Sequence, residues 1–261
     1  MDLFNRLKID VSEKFPHLSR APITEAVIEI RARASEPWKE ADIFAKLKQR
    51  LVQYPDHHSA RGVEHKFQVS STQEAKVDTK DLGWQGHDFK SADGKQIVRF
   101  HLDLFSLSRL HPYDNWERFA NEVLRLWNIH RELSRPLEVQ RLGVRFINRI
   151  PMTEGKMDLE KYFKEFPQDL KNLNLSLTGF LHHNIFSIPG YPYAMNIIKT
   201  VQPSEAPGVK EFALILDIDV YTQNAFEAST KTMEEKLAEM RWLKNKSFFS
   251  IITNELKVKL Q

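Results

Sequence analysis

The chain has 261 residues, is 41% hydrophobic and 28% charged, and sets 38 lysines and arginines against 35 aspartates and glutamates, a net +3 that is too balanced to point to nucleic acid by itself. With no cysteine, disulfides, thiolate chemistry and cysteine-ligated zinc or iron–sulfur centres are excluded. The opening MDLFNRLKID scatters charge where a signal peptide would be apolar, and no apolar run approaches the roughly 18 residues of a membrane span, so the reading is a cytoplasmic protein with no membrane contact.

Residues 1–20 form a polar lead-in. From Ile23 to Arg33 the chain alternates. Ala26, Ile28 and Ile30 fall on one side and Glu25, Glu29, Arg31 and Arg33 largely on the other, which predicts a strand with one buried face. Ser35 and Pro37 suggest a helix start, and Ala41, Phe44, Leu47 and Leu51 give a helical stripe that stops before Pro55. Val63 to Leu110 reads as strands and turns, with Asp93-Gly94 a good hairpin signal. The run IVRFHLDLF reads as one strand, with Val98, Phe100, Leu102 and Leu104 inward and Arg99, His101, Asp103 and Phe105 outward. A strong helix follows from about Asn115 to Leu133. Asp114 and Glu117 open it as a capping-box-like pair, Trp116, Phe119, Val123 and Trp127 mark its buried stripe, and Arg135-Pro136 closes it.

The order then recurs. Glu138 to Ile150, EVQRLGVRFINRI, alternates strictly: Leu142, Val144, Phe146 and Ile150 on one side, Arg141, Gly143, Arg145, Ile147 and Arg149 on the other. A short helix from Asp158 to Phe166 comes next, then strands at Leu173–Ile188, Tyr193–Val201 and Glu211–Thr222. The last helix starts near Thr230 or Thr232, with Thr232 and Glu235 as a capping box and a polar stretch at Lys244–Ser247 that would bend it. Residues 21–135 and 136–261 thus read as two tandem βαβββα units. The expected fold is α+β, a curved antiparallel sheet with helices on one face, in a duplication like that of TATA-binding-protein folds.

On that arrangement the non-core strand faces collect Arg99, His101 and Asp103 from the first unit. Arg141, Arg145, Arg149, Asp217, Asp219 and Tyr221 come from the second. Cross-strand ion pairs are one reading, with Glu25 and Glu29 opposite Arg141 and Arg145. The other is an open groove for an anionic ligand, a nucleic acid or a partner's acidic segment, since arginine's planar fork grips phosphate or carboxylate in two places. Trp84, Phe105 and Tyr221 would supply stacking surfaces for bases, whereas Asp103, Asp217 and Asp219 would repel phosphates. The D-x-D of Asp217 and Asp219 sets two carboxylates on one face, and the alternative reading is a metal-dependent enzyme on a phosphate-containing substrate. No Walker A, G-x-G-x-x-G, G-x-S-x-G or H-E-x-x-H occurs, and the adjacent pairs His57-His58 and His182-His183 point to opposite faces of a strand. No cofactor, metal or catalytic residue is assigned.

Several stretches carry a resemblance: LSRAPITEAVIEIRAR at Leu18–Arg33, RLHPYDNWERF at Arg109–Phe119, RLGVRFINRI at Arg141–Ile150, LDIDVY at Leu216–Tyr221 and KNKSFF at Lys244–Phe249. Together they resemble an uncharacterised, sporadically distributed prokaryotic protein family of about this length, with no catalytic residues to carry over. Its motifs include Pro22, Glu25, Arg141, Gly143, Arg145, Asn148, Arg149 and Asp217, several of them polar strand positions that suit a shared binding face. Sporadic occurrence implies a gene that travels, as parts of phage-defence or toxin–antitoxin-like modules do. The expectation is a non-enzymatic binding or accessory subunit whose arginine-bearing sheet face meets a partner protein or a nucleic acid.

Overall fold

The alternation around Ala26, Ile28 and Ile30 does form a strand, β1 (Ile23–Arg31), with all three side chains at 0% exposure while Glu25, Val27 and Glu29 keep part of their surface. The structure, a computed structural model, describes residues 7–70, 73–152, 158–203 and 212–261, with side chains described throughout except at 65–77 and 203. After β1 come α1 (Glu40–Arg50), a long hairpin of β2 (Asp56–Ser70) and β3 (Gln73–Lys90), then β4 (Gln96–His101), β5 (Leu104–Leu110) and α2 (Trp116–Ser134). The chain continues through β6 (Glu138–Val139) and β7 (Arg141–Met152), and short 3-10 turns stand at Leu159–Lys161 and Lys171–Leu173. It ends with β8 (Leu181–Ser187), β9 (Tyr193–Pro203), β10 (Phe212–Thr222), β11 (Phe226–Glu227), α3 (Thr230–Ile251) and α4 (Asn254–Leu260).

Nine strands make one antiparallel sheet in the order β2-β3-β4-β5-β1-β7-β10-β9-β8, and β6 pairs with β11 in a separate small ribbon. The fold is α+β, as the pattern of elements predicts. On one face the alternating apolar residues meet the buried stripes of the helices: α2 packs on β5, and α3 packs on β10 and β7. Trp127, Phe100, Phe105 and Phe146 are the large side chains at the centre of that core, all under 2% exposed. Burying each one contributes on the order of 2–3 kcal/mol. Among the described residues no helix is long and apolar enough to cross a membrane.

Several local expectations are corrected. IVRFHLDLF is two strands, because the chain turns at Leu102-Asp103, where the carbonyl of Asp103 accepts the Ala32 N–H at 3.1 Å. The turn shifts the period by one, so Phe105 and Leu107 are wholly buried while Leu102 and Leu104 are half-buried. The stretch 138–150 breaks at Gln140, whose N–H reaches the Arg31 carbonyl at 2.8 Å, separating β6 from β7. Ser35 does not cap α1. Its N–H is bonded to the Ser134 carbonyl at the end of α2, and α1 begins only at Glu40, where Glu40 and Asp42 complement the helix dipole. Asn115, not Asp114, caps α2, accepting from Arg118 N–H at 2.9 Å, while Asp114 is drawn to Arg109 at 3.1 Å. Ser229 caps α3, which runs unbroken through Lys244–Ser247. The helix expected at Asp158–Phe166 is one 3-10 turn, and the strand expected from Leu173 starts only at Leu181.

Candidate functional site

The face of the sheet opposite the helices is polar at its centre, and the register explains why. Glu29 of β1, Gly143 of β7 and Tyr221 of β10 stand in one row, Val27, Arg145 and Asp219 in the next, and Glu25, Ile147 and Asp217 in a third. Arg145 therefore stands directly opposite Asp219 and one step diagonally from Asp217, Glu25 and Glu29, and Arg141 stands one step diagonally from Glu29. The Arg141 guanidinium donates to Glu29 and to Asp219, both at 3.0 Å, and lies 4.8 Å over the Tyr221 ring. Arg145 grips Asp217 in two places through Nε and Nη2, at 2.5–3.1 Å. Arg31 returns to Glu29 at 3.0 Å. Gly143 makes room for this: a Cβ there would stand 2.7 Å from Arg141 Nη1.

The two aspartates differ. Asp217 is 7% exposed with its carboxylate fully taken by Arg145. Asp219 has its pKa raised, because burial penalises its charge more than Arg141 and Arg145 favour it, with Asp217 and Glu29 adding repulsion. Arg145 is held even more firmly protonated by its hydrogen bonds to Asp217, against the opposing effect of burial.

A second cluster sits two strands away. Asp88 on β3 lies opposite Arg99 on β4 and also takes His101 Nε2 at 2.7 Å, Arg99 Nε at 3.4 Å and His58 Nε2 at 3.5 Å. Burial works to raise the Asp88 pKa, but those three partners outweigh it and lower it. Ser106 lies between the clusters, opposite both Arg99 and Glu29.

Of the residues expected on this face, Arg141, Arg145, Asp217, Asp219 and Tyr221 come together, and Arg99 and His101 join the Asp88 cluster. Arg149 is exposed with no ion pair among the described residues. Asp103 is exposed at the β4–β5 turn, outside both clusters. Phe105 is in the core and the Tyr221 ring is covered by Arg141, so the expected stacking platform is absent at those two positions. Asp88 was missed in the sequence, although its place one residue before inward-facing Phe89 marks it for the polar face. No group of three or more histidines, aspartates or glutamates able to hold a metal occurs among the described residues. No known protein family is matched by the chain, and no curated protein is similar to it.

Proposed function

We propose that the chain is a non-enzymatic binding or accessory subunit that docks a partner protein on the open face of its sheet. The observation that carries this is the interlocked charge at the face's centre. Arg141 and Arg145 are clamped by Glu29, Asp217 and Asp219. Phosphates meet there a rigid surface of alternating sign, not a free basic stripe. Fixed charges of both signs suit protein recognition, where complementarity sets register and rejects wrong partners. The sheet order also supports two tandem units of the TATA-binding-protein kind. Outward from the central pair, β1 is followed by β5, β4 and β3, and β7 by β10, β9 and β8, with β2 an additional edge strand on the first half. The setting proposed with it is a mobile phage-defence or toxin–antitoxin-like module, on the resemblance of the sequence motifs alone, in the cytoplasm.

The test is affinity purification of the tagged protein from its native host, with Arg149→Glu beside it. Arg149 is exposed and has no ion pair among the described residues, so the variant should leave the folded sheet intact. A stoichiometric protein retained by the wild type and lost by the variant is the expected result. An eluate dominated by nucleic acid that salt strips steeply overturns the reading.

A further inference from the structure

On the opposite side of the sheet a cavity of about 600 Å³ lies where residues 11–18, the first turn of α2, Phe146 and Asn148 of β7, and α3 converge. That volume lies in the range of small-molecule sites. Its acids are already satisfied. Glu13 accepts from Trp242 Nε1 and Lys246 Nζ, each at 2.7 Å, Glu117 is paired with Arg241 at 3.0 Å, and Asp114 with Arg109 at 3.1 Å.

Lys244 is different. On α3 the buried stripe runs Leu237, Met240, Phe248, and Lys244, half-buried, occupies the step between the last two, on the side of the cavity. Its ammonium has no hydrogen bond or ion pair among the described residues and lies 3.9 Å over the Phe146 ring. Burial, with a smaller push from Arg241, pulls its pKa down to about 7. A ring face offsets only a small part of the cost of desolvating a cation. The first turn of α2 lines the same cavity: Asn115 caps Arg118 N–H, and the amides of Trp116 and Glu117 have no acceptor within the helix. An unpaired ammonium and a helix N-terminus thus share one cavity with the Phe146 and Trp116 rings.

We propose that this cavity binds a small organic anion, its carboxylate or phosphate on the Lys244 ammonium and its apolar body against Phe146 and Trp116. The site is independent of the sheet-face reading, since it lies across the core from it. The anion selects the protonated lysine, so binding takes up a proton at neutral pH and weakens as pH rises above about 7.

The experiment titrates the full chain with phenylacetate and with phenyl phosphate, following tryptophan fluorescence, because Trp116 and Trp242 line the cavity. Phenylacetamide serves as a neutral probe of the same shape. Saturable binding of at least one acid at pH 6 is expected, at least tenfold tighter than the amide. For phenylacetate, whose charge is constant above pH 6, affinity falls about tenfold per pH unit above 7 until the complex's own pKa is reached. Lys244→Met loses the acid preference, whereas Lys231→Met, at an exposed position on the same helix, keeps it. No saturation by either acid at pH 6 overturns the proposal. So does equal affinity for acid and amide in the wild type, or a phenylacetate affinity that does not change between pH 6 and 9; these two outcomes need no variant to fold.

Discussion

Replacing Lys244 with methionine should stabilise the protein, and by an amount that depends on pH. The side chain loses its charge and one atom of its length, and the apolar stripe of Leu237, Met240 and Phe248 becomes continuous. A fall in the lysine pKa from 10.5 to about 7 corresponds, at about 1.4 kcal/mol per pH unit, to roughly 5 kcal/mol of destabilisation as an upper bound. Lys244 keeps part of its surface exposed, so solvent screens the penalty to about 2 kcal/mol, or about 4–8 °C in Tm. The sign follows from proton counting. Below pH 7 both folded and unfolded chains hold the proton and the penalty is complete; between about 7 and 10.5 the unfolded chain holds more protons, so the wild type gains stability as pH rises. Urea unfolding of both proteins at pH 6, 7.5, 9 and 10 measures the gap. It should be widest at pH 6 and close toward pH 10. A gap that stays constant, or a variant less stable at pH 6, would refute the account of Lys244 as a desolvated cation.

Arg145→Ala strands the buried Asp217 carboxylate and should cost about 2–3 kcal/mol, with part recovered on adding Asp217→Asn; a coupling below about 0.5 kcal/mol in the double-mutant cycle would mark the pair as an ordinary surface contact. Asp219→Asn should gain on the wild type as pH rises through the raised Asp219 pKa, because in that window the folded wild type binds more protons than the unfolded chain; calorimetry at pH 4 and 7.5 shows whether the gap widens. At Gly86, φ is +152° and a Cβ would lie 2.3 Å from the Phe100 carbonyl oxygen, so Gly86→Ala should cost at least about 2 kcal/mol and loosen hydrogen-exchange protection of β4. Gly143→Ala should cost under about 1 kcal/mol, since the atom it meets is the movable end of Arg141; its effect should appear as weaker coupling of Arg141 to Glu29 and Asp219 in a mutant cycle.

The sheet's centre was legible because β1, β7 and β10 each have one buried face, which writes a period of two into Ala26–Ile30, Leu142–Phe146 and Leu214–Val220. Arg141 and Arg145 could be placed on the polar face for the same reason, and of the pairs expected with Glu25 and Glu29, Glu29 meets Arg141 while Arg145 turns to Asp217. Legibility failed wherever a tertiary contact reset the count. The turn at Leu102-Asp103 moved Phe105 into the core, and bonding to Ser134 drew Ser35 away from α1. Asp217 and Asp219 look equivalent in a D-x-D, but one is fully gripped by Arg145 and the other is shared with Arg141 at a net cost, a difference that only the neighbouring strand decides. Lys244 was readable only as part of a polar stretch, because a lysine in an amphipathic helix is ordinarily solvated and nothing local says that Phe146 lies under it.

The position of β1 has a consequence for how the chain is made. β1 leaves the ribosome before the other strands of its sheet, yet its two neighbours arrive late: β5 ends at Leu110, and β7 begins only at Arg141. At synthesis rates of 5–20 residues per second, β1 lies as an unpaired edge for about 2–6 s after β5 has been made. That edge presents unpaired backbone N–H and C=O groups, and the adjoining face carries Ala26, Ile28 and Ile30, the most buried residues of the finished strand. While α2 is being translated, the half-made sheet therefore carries one open central edge on which another nascent copy can mispair. A synonymous codon run that slows translation between Leu110 and Arg141 should lower the soluble yield, while the same run placed after β10 should leave it unchanged.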